Sequence, residues 1–392
     1  MINDIINDKR VEIYLQPIVN IKDKKIYAFE ALTRAKDKKG NFISPIDLFK
    51  QARDEGLSTK LDNYVRILAI KKFKKYYEQD KTILLFLNFE SSVIDDNSSS
   101  GFIKTVKDNN ISTSNIVIEI KEDSVNNNKY LEEFVLKHKK EGFIIAIDDF
   151  GTGYSSFDRL ALIKPHIIKV DRSLIYDIHN NFVNSQVLNG ISNMCHQIGA
   201  MVLAEGVESK SEILHCMKKD IDIFQGFYFS KPLESIEIEN NILDIVLNIG
   251  VSYKNIIKNH INKKKALLEH SKEIAKSIVS LLDQDSEDLN IMLNNVIQND
   301  KKIEAIYILT EDDGIQIIDT IKEDIPQVLY TPTKKGHDHS LKEYYFLAKE
   351  SIRGDYLSTK YISKASGNMC RTYSYKAKVN KNRYIVCLDI LL

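Results

Sequence analysis

Two hydrophobic periods alternate along residues 1–232. Short runs rich in Ile, Val, Leu and Phe, such as 116–120 and 143–148, have the composition of strands that are buried on both faces. Between them lie longer segments with apolar residues three or four positions apart, which is the period of an amphipathic helix. Strands that alternate with helices are typical of a parallel sheet with helical crossovers.

Eight such runs predict eight strands, which in this length suit a closed barrel better than an open sheet. The predicted strands are 11–19, 26–33, 82–88, 116–120, 143–148, 166–170, 201–205 and 222–225. The predicted helices include 45–55, 60–77, 130–140, 181–198 and 210–217. Residues 20–25, which join the first two strands, are too few for a helical crossover, so we expect these strands to be antiparallel. The prediction is an α/β fold, a modified TIM barrel with an antiparallel first strand.

The pattern changes after Pro232. Helical spacing continues from about 234 to 300, with breaks expected at Gly250 and at 283–287. Its apolar positions suit a seam with another chain and an intramolecular helix contact equally well. The remaining strands are predicted at 303–309, 315–320, near Tyr361, at 371–379 and at 383–391, with a helix at 341–349. We therefore divide the chain into a barrel domain (1–240), a helical connector (241–284) and a smaller α+β domain (285–392).

Composition excludes several classes of protein. The 392 residues are 43% apolar, and 55 basic residues balance 55 acidic ones, which gives no global attraction to nucleic acid or to an anionic membrane. No stretch approaches the roughly twenty apolar residues of a membrane span, so we expect a cytoplasmic protein. The four cysteines form no CxxC pair, and we expect them to be reduced thiols.

Polar residues recur at the C-terminal ends of the predicted barrel strands, where a barrel of this type collects its catalytic groups. They are Glu30, Asn88, Glu119, Asp148, Asp149, Lys169, Glu205 and Gln225. Each alone could be a solvated acid or amide at a strand end. Together, so many carboxylates need divalent cations, and oxygen ligands with one amide favour two Mg²⁺ or Mn²⁺ ions.

Asp148 and Asp149 directly follow a buried strand. Neighbouring residues of an extended chain point to opposite sides, so both acids can serve one centre only if the backbone turns there. Gly151 and Gly153 permit such a turn. The alternative is a solvated Asp-Asp turn that leads into a helix capped by a serine.

Lys169 has three possible roles at its strand end. A Schiff-base lysine needs a depressed pKa, but its expected neighbours are acids, including Asp171 and the Asp148–Asp149 pair. Its charge should therefore be stabilised. Such a lysine suits the orientation of a water molecule or a phosphate oxygen, or it only pairs with the acids.

These residues resemble the EAL-domain family of cyclic-di-GMP phosphodiesterases. The name motif is Glu30-Ala31-Leu32. The other matching segments are 16–19, 87–88, 118–122, 148–156, 168–173, 204–208 and 225–232. The resemblance covers residues 8–240, and the ordered set is far more specific than its three-letter name motif.

The resemblance implies hydrolysis of one phosphodiester bond of cyclic-di-GMP to linear pGpG, with two Mg²⁺ or Mn²⁺ ions and, as expected for the family, a homodimer. The implied metal ligands are Glu30, Asn88, Glu119, Asp148 and Asp149. Lys169 would position the attacking water, with Glu205 as its partner at the metal site or as general base. The implied substrate contacts are Gln16, Arg34 and Gln225, and the implied supporting residues are Glu122, Asp171 and Glu208. Arg34 would meet a phosphate with its planar fork of donors.

Three positions depart from the family pattern: Ala35 replaces an aromatic residue, Lys121 a threonine and Phe227 a tyrosine. None removes an implied ligand, so we expect a competent enzyme. The alternatives are a catalytically weak or silent cyclic-di-GMP receptor and, from Lys169 alone, a Schiff-base aldolase.

The C-terminal part resembles a PAS-like or Cache-like sensor, chiefly at 336–345, which implies an unknown small ligand. His337 and His339 could bind a metal, but without further ligands we interpret them as surface groups. The whole chain is then expected to be a bacterial signalling enzyme tuned by its C-terminal domain.

Overall fold

A computed structural model describes residues 1–90, 94, 100–121, 128–152, 157–235, 240–282, 289–322 and 331–391. The chain forms two compact units, Met1–Ile256 and Ile257–Leu392.

Eight strands of the first unit close into a barrel. In chain order, and including the short strand β3 that lies outside the barrel, the strands of this unit are β1 (Val11–Asn20), β2 (Lys25–Lys36), β3 (Phe42–Ile43), β4 (Leu84–Asn88), β5 (Ile116–Lys121), β6 (Ile144–Phe150), β7 (Ile167–Val170), β8 (Met201–Ala204) and β9 (Ile223–Gln225). Their order is β1-β9-β8-β7-β6-β5-β4-β2, β1 also pairs with β2, and β3 adds to the outer end of β2. β1 is antiparallel to both neighbours, whereas the other barrel pairs are parallel. The predicted barrel with an antiparallel first strand is confirmed.

Helices follow most of the barrel strands. They are α1 (Ile2–Asn7), α2 (Pro45–Asp54), α3 (Ser58–Gln79), α4 (Ser100–Asp108), α5 (Asn128–Lys140), α6 (Phe157–Ile163), α7 (Arg172–Ile175), α8 (Phe182–Gln197), α9 (Lys210–Met217) and α10 (Asn240–Leu282). Capping residues in the local sequence determine where several of these helices begin. Ser44 accepts a hydrogen bond from Asp47 N at the start of α2, and Ser209 and Glu212 form a capping box at the start of α9.

The barrel interior is filled by one apolar layer to which all eight strands contribute. Its buried members are Ile18, Ala28, Leu84, Phe86, Val117, Ala146, Ile167, Leu203 and Ile223. Because side chains of a strand alternate between its two faces, the residue two positions further along each strand points into the same interior. This layer therefore forms the floor beneath whatever the strand ends carry.

Helix α3 contains an ion pair that is almost fully buried. Asp62 and Arg66, one helical turn apart, have side chains only 3% and 1% exposed. The guanidinium lies 4.1 Å from the ring centre of Phe89 and 5.5 Å from that of Phe102. Burial raises the pKa of Asp62 to about 6, against the opposing effect of Arg66, so the pair is ionised at neutral pH.

The second unit is built on an antiparallel sheet. Its strands are β10 (Ile303–Thr310), β11 (Ile321–Lys322), β12 (Asp355–Leu357), β13 (Tyr361–Ile362), β14 (Met369–Val379) and β15 (Asn382–Leu391), in the order β11-β10-β15-β14-β12 with β13 paired to β14. One apolar cluster joins the sheet to the C-terminal part of α10 and to α11 (Leu289–Asn299). Another joins it to α12 (Glu343–Glu350). The sheet is therefore covered on both faces.

Several expectations for the C-terminal half are wrong. α10 runs through Gly250 without a break, because Ile242, Val246 and Ile249 of the same helix are buried and outweigh the poor helix propensity of one glycine. Residues 315–320 form isolated bridges and not a strand. His339 is 3% exposed, so it is not a surface group. The other predicted break, at 283–287, lies outside the described residues.

All four cysteines are buried free thiols. Among the described residues, no helix combines the length and the apolarity that a membrane crossing requires.

The buried pair in α3 and an exposed pair of the same spacing in α4 allow a matched test. Asp62→Ala leaves a buried guanidinium unpaired and should lower the free energy of unfolding by about 3–5 kcal/mol. Asp108→Ala removes the partner of Lys104, whose side chain is 76% exposed, and should change stability little. Equilibrium urea unfolding of both variants measures the difference; equal losses would contradict it.

Candidate functional site

The predicted residues at the strand ends meet at one end of the barrel, directly above its apolar layer. Glu119 stands two positions after Val117, Asp148 after Ala146 and Lys169 after Ile167, so each lies one layer above a residue of the barrel floor. Glu30, Asn88, Glu205 and Gln225 follow the same rule. Strand β1 runs the other way, so Gln16 reaches this end from the N-terminal side of Ile18 and lies opposite Glu30.

Lys169 is the centre of this group. Its side chain is 1% exposed, and its Nζ lies 2.8 Å from Asp148 Oδ1, 2.5 Å from Glu205 Oε1 and 3.8 Å from Glu30 Oε2. Nζ also forms a short ion pair with Glu119 Oε1. A single ammonium group thus neutralises only part of the charge of four carboxylates.

Three amide side chains hold the carboxylates in place. Asn88 Nδ2 donates to Glu30 Oε1 at 3.0 Å and to Glu119 Oε2 at 2.9 Å. Gln225 Nε2 donates to Gln16 Oε1 at 3.0 Å and to Glu30 Oε2 at 2.5 Å. Gln16 in turn donates to the carbonyl of Ser230 at 3.1 Å. These bonds fix the acids before any ligand arrives.

Asp149 joins the group because the backbone turns at that residue. Its φ is +56°, in the left-handed region that Asp tolerates better than most residues, and the β6–β7 register shifts between Ile147 and Phe150. The turn expected from the glycines thus begins at Asp149 itself, while Gly151 also has a positive φ of +102°. Asp149 Oδ2 lies 3.3 Å from the Nζ of Lys121.

The pKa values follow from this crowding. Burial and then the neighbouring Glu30 raise the pKa of Glu119 well above its usual value. Burial alone would lower the pKa of Lys169, but the surrounding carboxylates, led by Asp148, raise it well above its usual value. Lys169 is therefore a permanent cation, which disfavours the Schiff-base role.

The carboxylates fit divalent cations. Two groups offer oxygens that all lie within 4.8 Å of one another: Glu30, Glu119 and Glu205, and Asp148, Asp149 and Glu205. In addition, Gln225 Oε1 is buried without a hydrogen-bond partner among the described residues. Clustered oxygen ligands of this kind suit hard cations. Glu205 belongs to both groups, so adjacent ions could share it.

A cavity of about 710 Å³ opens above the acids, within the range of about 300–1,000 Å³ that ligand pockets occupy. Arg34 lies in its wall, donates to the carbonyl of Thr33 at 2.8 Å and has its guanidinium 5.5 Å from the ring centre of Tyr14. Glu208 also lines the cavity and forms a two-pronged pair with Arg172, one contact being 2.8 Å.

The predicted supporting residue Asp171 does not line the cavity. The Asp171 side chain caps α7, where it accepts a hydrogen bond from Ser173 N at 2.8 Å. Glu122 lies outside the described residues, as do Gly153 to Ser156 of the motif that follows Asp149.

Several charged residues of the cavity wall were not expected there from the sequence, among them the Asp62–Arg66 pair and Lys121 as the partner of Asp149. An acid and an arginine four residues apart among apolar helix positions was the available signal for the pair. Nothing in the sequence pattern shows that Lys121 reaches Asp149, because the two residues belong to neighbouring strands.

The fold and the site define a TIM-like barrel with a carboxylate-rich centre at the C-terminal ends of its strands. The chain belongs to the EAL-domain family, whose sequence profile matches residues 1–232.

Known proteins resemble the chain over different lengths. It is 22% identical to the EAL-domain protein YkuI of Bacillus subtilis over 92% of this chain and 90% of YkuI. It is 28% identical to the cyclic di-GMP phosphodiesterase PdeR of Escherichia coli over 59% of this chain, but spans only 35% of PdeR. A crystal structure of YkuI, in complex with cyclic-di-GMP and calcium, matches the fold with a TM-score of 0.82, covering 100% of this chain and 99% of YkuI at 21% identity. Klebsiella pneumoniae BlrP1, in a calcium and cyclic-di-GMP complex, matches 58% of this chain and 57% of its own with a TM-score of 0.53 at 27% identity.

Divalent cations should stabilise the protein through these acids. At a hundredfold excess over its dissociation constant, Mn²⁺ should raise the melting temperature of the first unit by roughly 5 °C relative to EDTA. Asp148→Asn should lose at least half of this shift, because one carboxylate group then has one negative charge fewer to offer the cation. Glu90→Gln, which changes an acid of the same cavity wall that pairs with Arg53, should keep it. Differential scanning calorimetry measures both, and an undiminished shift in Asp148→Asn would refute the assignment.

Proposed function

We propose that the chain is a metal-dependent cyclic-di-GMP phosphodiesterase that hydrolyses one phosphodiester bond to give linear pGpG. The observation that carries the proposal is the pair of carboxylate groups around Lys169 at the mouth of an EAL-family barrel. The relatives support it: PdeR is named a cyclic-di-GMP phosphodiesterase, and YkuI and BlrP1 have been crystallised with cyclic-di-GMP.

We assign the cation ligands to Glu30, Asn88, Glu119, Asp148 and Asp149, with Glu205 as their shared neighbour. Asn88 donates both described hydrogen bonds from Nδ2, which leaves its Oδ1 as the ligand atom. Mg²⁺ or Mn²⁺ fits these oxygens, in line with the manganese complexes of BlrP1. Two bound cations would lower the pKa of a water molecule and neutralise charge on the phosphate oxygens.

Lys169 serves as a fixed hydrogen-bond donor and charge. The carboxylates around it raise its pKa, which favours the protonated form and a role as donor over a role as base. It can hold a water or phosphate oxygen in place of one of its present carboxylate contacts. Glu205, 2.5 Å from Lys169 Nζ and less buried than Glu119, is the carboxylate available to accept the proton of that water.

The substrate contacts are assigned by chemistry and position. Arg34 stands in the cavity wall with a planar fork of donors suited to a phosphate. Gln16 and Gln225 lie beside Glu30 on the strands that close the barrel, where their amides can bind polar groups of the nucleotide. Glu208, paired with Arg172, keeps that guanidinium in place at the cavity wall.

A catalytically weak or silent receptor is the second candidate. The Lys121–Asp149 pair favours it, because an ammonium group 3.3 Å from an assigned ligand competes with a cation for that carboxylate. Binding of cyclic-di-GMP with Mn²⁺ present, without formation of pGpG, would support this candidate.

The regulatory part of the proposal concerns residues 241–392. We propose that the connector (241–284) and the PAS-like or Cache-like domain (285–392) adjust the activity of the barrel domain (1–240) in a cytoplasmic homodimer. Support comes from the resemblance of the C-terminal part to PAS-like or Cache-like sensors and from YkuI, which has a similar length and fold. The molar mass in solution, from light scattering, tests the dimer.

Two substitutions test the chemistry. Lys169→Met and Asp149→Asn should each lower turnover of cyclic-di-GMP at least a hundredfold, because each removes a charge assigned to the reacting phosphate or to a cation. The measurement is chromatography of pGpG after incubation with Mg²⁺ or Mn²⁺. Lys104→Met, which changes an exposed lysine of α4, is the matched control and should keep full turnover. A fully active Asp149→Asn protein would refute the assignment.

A further inference from the structure

A second cavity lies in the C-terminal unit, between α12 and the sheet. Its volume is about 280 Å³, just below the usual range of ligand pockets, so it suits a compact molecule. Asp389 of β15 and the three tyrosines 307, 344 and 361 line it. No residue of the proposed phosphodiesterase site belongs to it.

Asp389 is a buried carboxylate with no cationic partner. It is 3% exposed, and no ion pair joins it to a lysine, arginine or histidine in the described part of the chain. Oδ1 accepts hydrogen bonds from the hydroxyls of Tyr307 (3.2 Å), Tyr361 (3.0 Å) and Thr372 (2.8 Å), and Oδ2 accepts one from Ser363 (2.9 Å). Burial raises the pKa of Asp389, and the four hydroxyls oppose the rise, so a negative charge there lacks the compensation that a cation would give.

These bonds fix the polarity of the cavity. Each tyrosine hydroxyl has one hydrogen. Tyr307 and Tyr361 both contact Asp389 Oδ1 and the hydroxyl of Thr372, so their hydrogens are directed at acceptors within this cluster and their lone pairs remain for a ligand. The cavity side of this cluster therefore offers acceptors.

Tyr344 follows the same rule through His339. The Gln316 amide donates from Nε2 to the carbonyl of Ile318 at 2.7 Å, which turns its Oε1 toward His339 Nε2 at 2.9 Å. Nε2 therefore carries the hydrogen, and His339 Nδ1 accepts from the Tyr344 hydroxyl at 2.7 Å. All three tyrosine hydroxyls of the cavity then present acceptors to a ligand.

The aromatic rings add to this preference. Tyr344 meets Tyr307 edge to face with ring centres 5.8 Å apart and stacks with Tyr361 at 6.1 Å. Aromatic faces attract cations, and more strongly where water is excluded. An acceptor-lined aromatic cavity with an uncompensated carboxylate matches a group that has several N–H donors and a positive charge.

We infer that this cavity binds a small molecule with a primary ammonium group, which donates to Asp389 and to the tyrosine oxygens. A carboxylate or phosphate ligand would meet only acceptors and a negative charge at that position. The exposed side chains of Lys342 and Lys364 line the cavity as well and could hold an anionic group at the far end of the same ligand. The ligand is thus either a simple amine or an amino-acid-like zwitterion. The inference deepens the regulatory part of the proposed function, although binding itself requires no hydrolysis.

Two matched pairs of probes test this inference on the full chain. Ethanolamine and ethylene glycol differ by an ammonium against a hydroxyl group, as do alanine and lactate. Isothermal titration calorimetry in phosphate buffer, without amine buffers and without cyclic-di-GMP, should show at least one ammonium compound binding about tenfold or more tightly than its hydroxyl counterpart. Ethanolamine alone would identify a simple amine, and alanine a zwitterion held by the lysines.

Three variants measure how much the charge of Asp389 contributes to binding. Asp389→Asn keeps the shape of the side chain but removes its charge, and should weaken binding of the ammonium compound about tenfold to a hundredfold. Asp312→Asn, an exposed acid of the same unit that pairs with Arg383 outside the cavity, should bind as the parent does. Tyr361→Phe keeps the ring and removes one acceptor. It should weaken binding severalfold and remains informative if Asp389→Asn fails to fold.

Three results would overturn the inference. They are equal affinity for ammonium and hydroxyl members of both pairs, unchanged affinity in a folded Asp389→Asn protein, and no heat from either ammonium compound up to millimolar concentration. The binding of amines and the formation of pGpG are measured in separate experiments. A chain that forms no pGpG can therefore still bind the ammonium compound, and a chain that does not bind it can still form pGpG.

Discussion

The structure of the barrel mouth depends on one buried ammonium group surrounded by carboxylates. Lys169, 1% exposed, contacts Glu119, Asp148 and Glu205 at once, with Glu30 slightly further away. The desolvation free energy of several buried carboxylates exceeds the attraction that a single ammonium group provides. Such a cluster therefore needs hydrogen bonds to its carboxylates and further cations. Asn88 and Gln225 supply those hydrogen bonds, and the two carboxylate groups supply places for the cations. The instability of this charge arrangement without ligands is therefore the physical basis of its affinity for divalent ions.

The same strands provide both the floor and the site, because their side chains alternate strictly. Val117 and Glu119, or Ile167 and Lys169, share one face of one strand, and only the second member of each pair is polar. A register shift of one residue in any of these strands would turn its acid or lysine to the outer face of the barrel, against the helices, and place an apolar side chain at the mouth. Because β1 is antiparallel to β2, Gln16 also lies at the barrel mouth, directly opposite Glu30.

Much of this arrangement could be predicted from the sequence, because it follows from short-range periodicity. Apolar runs that end in Asp, Glu or Lys indicate both the strands and the site, and Glu30, Glu119 and Lys169 lie at the barrel mouth as predicted. The rest depends on tertiary contacts. The glycines after Asp149 indicate a turn, but not that Asp149 itself takes the positive φ. The spacing of Asp62 and Arg66 indicates a pair, but not its burial against two phenylalanine rings. Nothing local indicates that Lys121 reaches Asp149. In the first unit, the buried side chains of Ile242 and Val246 carry α10 through Gly250. In the second unit, His339 is buried and forms hydrogen bonds with Gln316 and Tyr344.

The chain has two sites with buried acids, one at the barrel mouth and one at Asp389. The hydrogen bonds that their carboxylate oxygens already accept determine which kind of cation each site suits. At the barrel mouth, several carboxylates face one another with few donors between them, and only a multiply charged ion can satisfy so many oxygens in so small a space. At Asp389, one carboxylate already accepts hydrogen bonds from four hydroxyls, and among the described residues it belongs to no group of three or more acid, histidine or cysteine ligands. What remains there is one negative charge, tyrosine lone pairs and aromatic faces. A singly charged group that brings its own hydrogens meets those conditions, and a divalent metal ion does not.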